Sequence, residues 1–364
     1  MENLGAAKNF WRGKRVLVTG HTGFKGSWLC LWLLELGARV MGYALPPYTE
    51  RDNYVQCGLE RQIVEVRGDI SDYVRLEKTF LEFQPEIVFH LAAQPLVRRS
   101  YQEPRQTYQT NVMGTLNVLE AARKAGSVHS AVMITTDKCY ENRGGSRGYR
   151  EEEPMGGYDP YSSSKGCAEL LIASYRRSFC RYGGTGESEM AVASARAGNV
   201  VGGGDWSQDR LIPDCVRAIE AGQPVRLRNP EAVRPWQFVL EPLGGYLLLA
   251  ERLWSEPESF VGGWNFGPDP KQMATVETMA RALTDAYGAG TVECRAEAQA
   301  PHEDQILLLD STKAGERLGW RPRLILEETL EWTAEWYRDY RRNAPLEICR
   351  RQLNDFVSRR ETKA

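Results

Sequence analysis

Over the first two-thirds of the chain, short β-branched runs alternate with longer stretches whose apolar positions recur at helical spacing. This is the pattern of a parallel sheet covered by helices on both faces. Arg15–Thr19 (RVLVT) predicts the first strand, Phe24–Leu36 a helix ended by Gly37, and Ala38–Tyr43 the second strand. Ile63–Val66 is the third strand and Glu86–Leu91, behind Pro85, the fourth. Thr107–Ala125 then reads as a helix closing at Gly126, and Ala131–Thr135 as the fifth strand. A polar, glycine-rich loop from Asn142 to Gly157 leads to a helix over Tyr161–Tyr182 and a sixth strand, Ala191–Arg196.

The fold class expected from this order is α/β, a Rossmann-type doubly wound parallel sheet with a smaller C-terminal substrate-binding domain. Ligands of such a sheet sit beyond the carboxyl ends of its strands. From about Gly202 the alternation becomes irregular, punctuated by Pro213, Pro224, Pro230, Pro235 and Pro242. Residues 1–200 are therefore assigned to the dinucleotide-binding domain and 201–364 mainly to the substrate domain, with later segments able to return to the first. An amphipathic helix over Glu327–Arg342 carries Trp332, Trp336 and Tyr337, expected in the core or at a subunit contact.

Charge narrows the partners. The 364 residues hold 46 basic and 48 acidic side chains, a net charge of −2, with no long block of either sign. Neither nucleic acid nor a membrane is needed as a partner. Met1–Arg15 is polar and lacks the apolar core of a secretory signal, and the longest apolar stretch, Trp28–Leu36, includes Glu35 and stops at Gly37. A cytoplasmic protein is expected. The eight cysteines contain no C-x-x-C pair and read as reduced, mostly buried thiols, with no metal site.

Candidate chemistry starts at the first strand-to-helix junction. Gly20, His21, Thr22, Gly23, Phe24, Lys25 and Gly26 form a G-x-x-G-x-x-G loop, where backbone amides and a helix N-terminus can face a pyrophosphate. The second strand ends in Tyr43-Ala44-Leu45, without the acidic residue that reads ribose hydroxyls and without an adjacent arginine for a 2′-phosphate. Asp69 and Ile70 are candidates for the adenine, Asp69 serving otherwise as a cap or turn residue. Leu91, Ala92 and Ala93 are small enough to let a cofactor approach the backbone.

Tyr161 and Lys165 lie four residues apart on one face of a helix. An ammonium and a positive nicotinamide ring both favour phenolate, so this tyrosine is a candidate base for a sugar hydroxyl.

The glycine loop, Leu91-Ala92-Ala93, Asn111-Val112-Met113-Gly114-Thr115 and the Tyr161/Lys165 pair resemble the extended short-chain dehydrogenase/reductases across nearly the whole chain. Most of those are nucleotide-sugar enzymes. Within them, Thr19–Gly26 (TGHTGFKG), Asp137–Asn142 (DKCYEN), Asp159–Lys165 (DPYSSSK) and Arg234–Gln237 (RPWQ) are similar to CDP-glucose 4,6-dehydratases.

The resemblance implies NAD as cofactor and a nucleotide sugar as substrate, while helices exposed on one sheet edge point to a homodimer or homotetramer. It also implies an extra acid/base pair at the end of the fifth strand, with Asp137 as acid for a leaving 6-hydroxyl and Lys138 as base at C5. Thr136 would share the C4 hydroxyl proton or orient the ketone. Asp137 would need a raised pKa and Lys138 a lowered one. Asn199, Arg210 and Arg234 are implied contacts of the substrate diphosphate or base. Phe238 and Glu303-Asp304 depart from the family pattern and, if they touched the nucleotide, would alter base preference. The rival activities are 4-epimerisation or reduction on the same fold, which need no acid/base pair near C6, and a non-catalytic dinucleotide sensor, which needs no Tyr161/Lys165 pair.

Overall fold

The computed structural model describes residues 9–145, 147–269, 272–294 and 307–359. Its central sheet has seven parallel strands. Six are β1 (Arg15–Thr19), β2 (Arg39–Ala44), β3 (Val64–Arg67), β4 (Ile87–His90), β5 (Ser130–Ile134) and β6 (Ala191–Ala197). Three short strands follow, β7 (Asn199–Val201), β8 (Val225–Leu227) and β9 (Val233–Phe238), before β10 (Gly262–Phe266) returns to the sheet edge beside β6. The spatial order is 10-6-5-4-1-2-3, so the direction of winding reverses at β1, which pairs with both β2 and β4. A ligand crevice belongs at that switch point.

The alternation of the strands divides the core. Val16 and Val18 face one layer with Ile87, Phe89 and Val132, whereas Leu17 faces the other with Val88, Ala131 and Met133. Each fully buried Val or Leu side chain contributes about 1.5–3 kcal/mol relative to exposure.

The first layer is covered by α1 (Phe24–Glu35), whose residues from Gly26 to Leu33 are all buried. Next to it, α6 (Leu240–Ser255) packs on β5 and β6. The second layer is covered by α2 (Tyr73–Phe83), α3 (Gly114–Ala125) and α4 (Pro160–Phe179).

The helix expected over Thr107–Ala125 is present without a break but changes pitch: Pro104–Tyr108 is α-helical, Gln109–Met113 widens into a π turn, and α3 begins at Gly114. A Cβ on Gly114 would stand 2.4 Å from Ile70 Cδ1, so a larger residue here would push the Ile70 side chain aside. Residues 240–266, among the later segments expected to be able to return to the first domain, serve the central sheet. The rest of the irregular region builds a second lobe from α5 (Leu211–Glu220), α7 (Val276–Tyr287), α8 (Leu326–Asp339), a three-stranded sheet in which β9 lies between β7 and β11 (Met273–Thr275), and a pair of β8 with β12 (Val292–Cys294). The last helix among the described residues, α9 (Pro345–Ser358), packs on α1. Trp336 and Tyr337 are buried core residues of α8.

Candidate active site

Five strand ends meet at the crevice: Thr19 of β1, His90 of β4, Ile134 of β5, Ala197 of β6 and, further out, Arg67 of β3. A candidate segment begins one or two residues after each: Gly20, Leu91, Thr136, Asn199 and Asp69. Gly20 has φ +74°, and a Cβ there would fall 2.7 Å from the Ala92 nitrogen; on Gly26 it would fall 2.1 Å from Gly20 O. Only glycine permits this approach of the loop to Leu91-Ala92. Gly23 precedes α1 without a side-chain cap, leaving the first amides of the helix for a ligand.

The loop's side chains divide. Thr22 donates to Leu45 O at 3.0 Å. His21 turns inward instead, with Nε2 3.2 Å from Glu65 and a buried Nδ1 without a partner, so it supports the loop from below. Burial holds its pKa below the ordinary value. Lys25 donates to the Tyr246 hydroxyl at 3.0 Å. Burial brings its ammonium down to about 7, helped by nearby Lys165 and Arg210. Asp69 accepts from the Ser71 amide at 2.8 Å, a turn role, while Asp72 caps α2.

Asp159 fixes the start of α4: its Oδ1 accepts from the Ser162 amide at 3.0 Å, and Pro160 occupies the first helical position. Tyr161 follows in the first turn. Ser164 donates to Tyr161 O at 2.7 Å and accepts from Asn111 Nδ2 at 2.9 Å, so the π turn buttresses the tyrosine. Lys165 donates to Ile134 O at 3.5 Å.

Burial pushes Tyr161 up to about 12, against a hydrogen bond with Thr136. The depressed value expected from Lys165 is thus not present in the protein alone, because removing a phenolate from water outweighs its neighbours. Burial also lowers Lys165, to about 8, opposed by Glu169.

Past Ile134, Thr136 opens a short 3-10 turn, Asp137–Cys139, and donates to Asp137 Oδ1 at 2.8 Å. Asp137 is 3% exposed and lies against Gly198, where a Cβ would be 3.0 Å from Oδ2. Burial raises its pKa even though Lys138, Thr136 and Arg234 pull the other way. Lys138 is half-buried beside it.

Arg210 pairs with buried Asp205 at 2.8 Å. Burial would raise the Asp205 carboxyl, but Arg210 and Ser207 outweigh it and hold it low. Arg234 is buried close enough to influence Asp137, and Asn199 opens β7 next to Gly198. Phe238, in contrast, is fully enclosed, edge-on to Trp28 and Trp332 with centroids at 6.1 and 5.5 Å. It is a core residue and cannot act on base preference by contact. Glu303 and Asp304 lie outside the described residues.

Sequence reasoning gave no role to Asp205, Tyr246 or Glu169. For Glu169 a signal existed, since it continues the four-residue spacing of Tyr161 and Lys165.

The profile of the family described as GDP-mannose 4,6 dehydratase matches residues 17–333. The chain is 50% identical over 352 residues to the CDP-glucose 4,6-dehydratase of Salmonella typhimurium, covering 96% of this chain and 98% of that protein. Among solved structures it is similar to a dTDP-glucose 4,6-dehydratase of Streptomyces venezuelae with NAD bound (TM-score 0.76, 27% identity, 90% and 98% covered). It is also similar to a UDP-glucose 4-epimerase of Thermotoga maritima with UDP-glucose (TM-score 0.74, 26% identity, 89% and 98% covered).

Proposed function

The chain belongs to the GDP-mannose 4,6 dehydratase family, and from that membership we propose that it is an NAD-dependent 4,6-dehydratase that converts CDP-glucose to CDP-4-keto-6-deoxyglucose. The observation that carries this reading is the buried Thr136-Asp137 pair with Lys138, set beside Tyr161. An epimerase, which only oxidises and re-reduces C4, has no use for an acid of raised pKa next to its tyrosine.

The residues present fit NAD: Gly20 and Gly26 allow a close backbone approach where a Cβ would clash, and Gly23 leaves the first amides of α1 uncapped for a diphosphate. Gly20–Gly26 would hold the diphosphate, Asp69 and Ile70 the adenine end, and Leu91–Ala93 with Tyr161 and Lys165 the nicotinamide end. The chemistry a bound NAD supplies is removal of the C4 hydrogen with its electron pair and its return at C6.

Tyr161 takes the C4 hydroxyl proton, directly or through Thr136, and Lys165, still largely cationic near neutral pH, stabilises the phenolate. The resulting C4 ketone acidifies C5–H. Lys138 removes that proton while Asp137, its pKa raised by burial, gives its own to the leaving C6 hydroxyl. Arg210, Arg234 and Asn199 bind the sugar nucleotide from the second lobe, which we assign to substrate.

The eight free thiols support a reducing compartment, the cytoplasm. Exposed Leu170 on α4 and Tyr108, whose hydroxyl bonds Ser163 on the same helix face, support a homodimer or homotetramer. The function is tested by incubating the protein with catalytic NAD⁺ and, separately, CDP-, dTDP-, GDP- and UDP-glucose, following loss of one water by mass spectrometry. Water loss from CDP-glucose alone is expected; loss only from another nucleotide overturns the substrate, and no loss from any overturns the reaction.

A further inference from the structure

Behind the reactive turn lies a buried ion pair that the proposed chemistry does not use. Glu169 of α4 and Arg196 of β6 are each 4% exposed. They pair through two bonds, Nε to Oε1 at 2.9 Å and Nη2 to Oε2 at 2.8 Å. Such a pair is costly to bury, and apolar side chains of similar volume could fill the space without that cost. Its position suggests what it is for.

The pair grips both ends of the segment that carries the acid and the base. Thr135, just before Thr136, donates to Glu169 Oε1 at 2.5 Å. Tyr140, two residues after Lys138, accepts from Arg196 Nη1 at 2.5 Å and donates to Asn265 Oδ1 of β10 at 2.8 Å. Ser194 fills the remaining acceptor site of the carboxylate, donating to Oε2 at 2.7 Å. Glu169 also shares its helix face with Tyr161 and Lys165. One rigid element therefore sets the tyrosine, the lysine and both flanks of Asp137-Lys138.

We propose that the Glu169–Arg196 pair is a positioning device for the elimination step: by anchoring Thr135 and Tyr140 it holds Asp137 and Lys138 in the place from which they reach C6 and C5. This rests on the dehydratase reading above. Removing either charge leaves the other buried and unpaired and can unfold the chain, so the test deletes only the hydroxyls that transmit the grip, T135V and Y140F.

With CDP-glucose, both variants are expected to keep the wild-type KM and to lose no more than a few degrees of melting temperature, the cost of one buried hydroxyl. Their kcat should fall by on the order of 10²-fold, as for a misplaced catalytic group. Reduced-nicotinamide absorbance should build up during turnover, because C4 oxidation by Tyr161 and Lys165 survives while elimination slows. Wild-type kcat in both variants, or a fall accompanied by a greater loss of melting temperature and a raised KM, overturns the positioning role. The wild-type protein run alongside reports on the reading beneath it: if it removes no water from CDP-glucose, that reading fails and the proposal falls with it.

Discussion

At the scale of single residues, Asp137 and Tyr161 are set against their surroundings in the same way. Burial disfavours the charged form of each, leaving Asp137 raised and Tyr161 at about 12. For an acid this is useful, since it keeps the proton available; for a base it must be overcome by positive charge from Lys165 and the bound cofactor. D137N keeps the shape of the side chain but cannot give up a proton. Its kcat is expected to fall by about 10²–10⁴-fold while C4 oxidation continues, so reduced nicotinamide accumulates; Y161F should lose activity without that accumulation. Identical traces from the two variants would contradict the separation of roles. The pH profile reports on Lys165, whose ammonium loses its charge near pH 8: the wild-type profile is expected to change slope there. A profile without an inflection near that pH would count against this assignment. Residue identities and spacing made these positions legible, but not their environments. His21 looked like a loop residue facing ligand and is buried on Glu65, and Phe238 looked like a departure at the substrate and is core.

Among the elements, the six strands expected from β-branched runs are all present within a residue or so of their expected ends, because such runs have few alternatives when both sheet faces are covered. β10 was missed because Gly262-Gly263-Trp264-Asn265-Phe266 has no alternation; pairing with β6 makes it a strand. The π turn at Gln109–Met113 was likewise invisible to a 3.6-residue period.

Helix α6 supplies a test of its own. Glu241 in its first turn accepts the Arg323 and Leu324 amides, both at 2.8 Å, while its Oε2 is buried without a partner. Burial pushes its pKa up to about 7 from 4.5, against those two amides. A carboxyl raised on folding stabilises fully below the unfolded value and loses that contribution as pH rises through the folded one. Between pH 4.5 and 7 the loss is on the order of 3 kcal/mol. E241Q is expected to flatten this part of the curve of stability against pH. Parallel curves for variant and wild type would show that the carboxyl does not titrate in this way.

For the whole molecule, the two lobes face each other across the carboxyl ends of the sheet. Asp137 from the first lobe lies against Gly198, and Pro235 Cγ of β9 would be 3.4 Å from a Cβ there. The sequence made the first lobe legible through its regular alternation. The second rests on short strands, prolines and long-range aromatic packing, such as Trp206 edge-on to Tyr337 at 5.2 Å, which no local period reports. The chemistry requires the two lobes to hold one sugar throughout, so that the hydrogen taken from C4 returns to the same molecule at C6. The most direct measurement is turnover of CDP-glucose carrying deuterium at C4, with the product analysed by mass spectrometry and NMR. Loss of one water with the deuterium retained at C6, without exchange between labelled and unlabelled substrate molecules, is expected. Deuterium left at C4 of an intact sugar, or released to solvent, would contradict it.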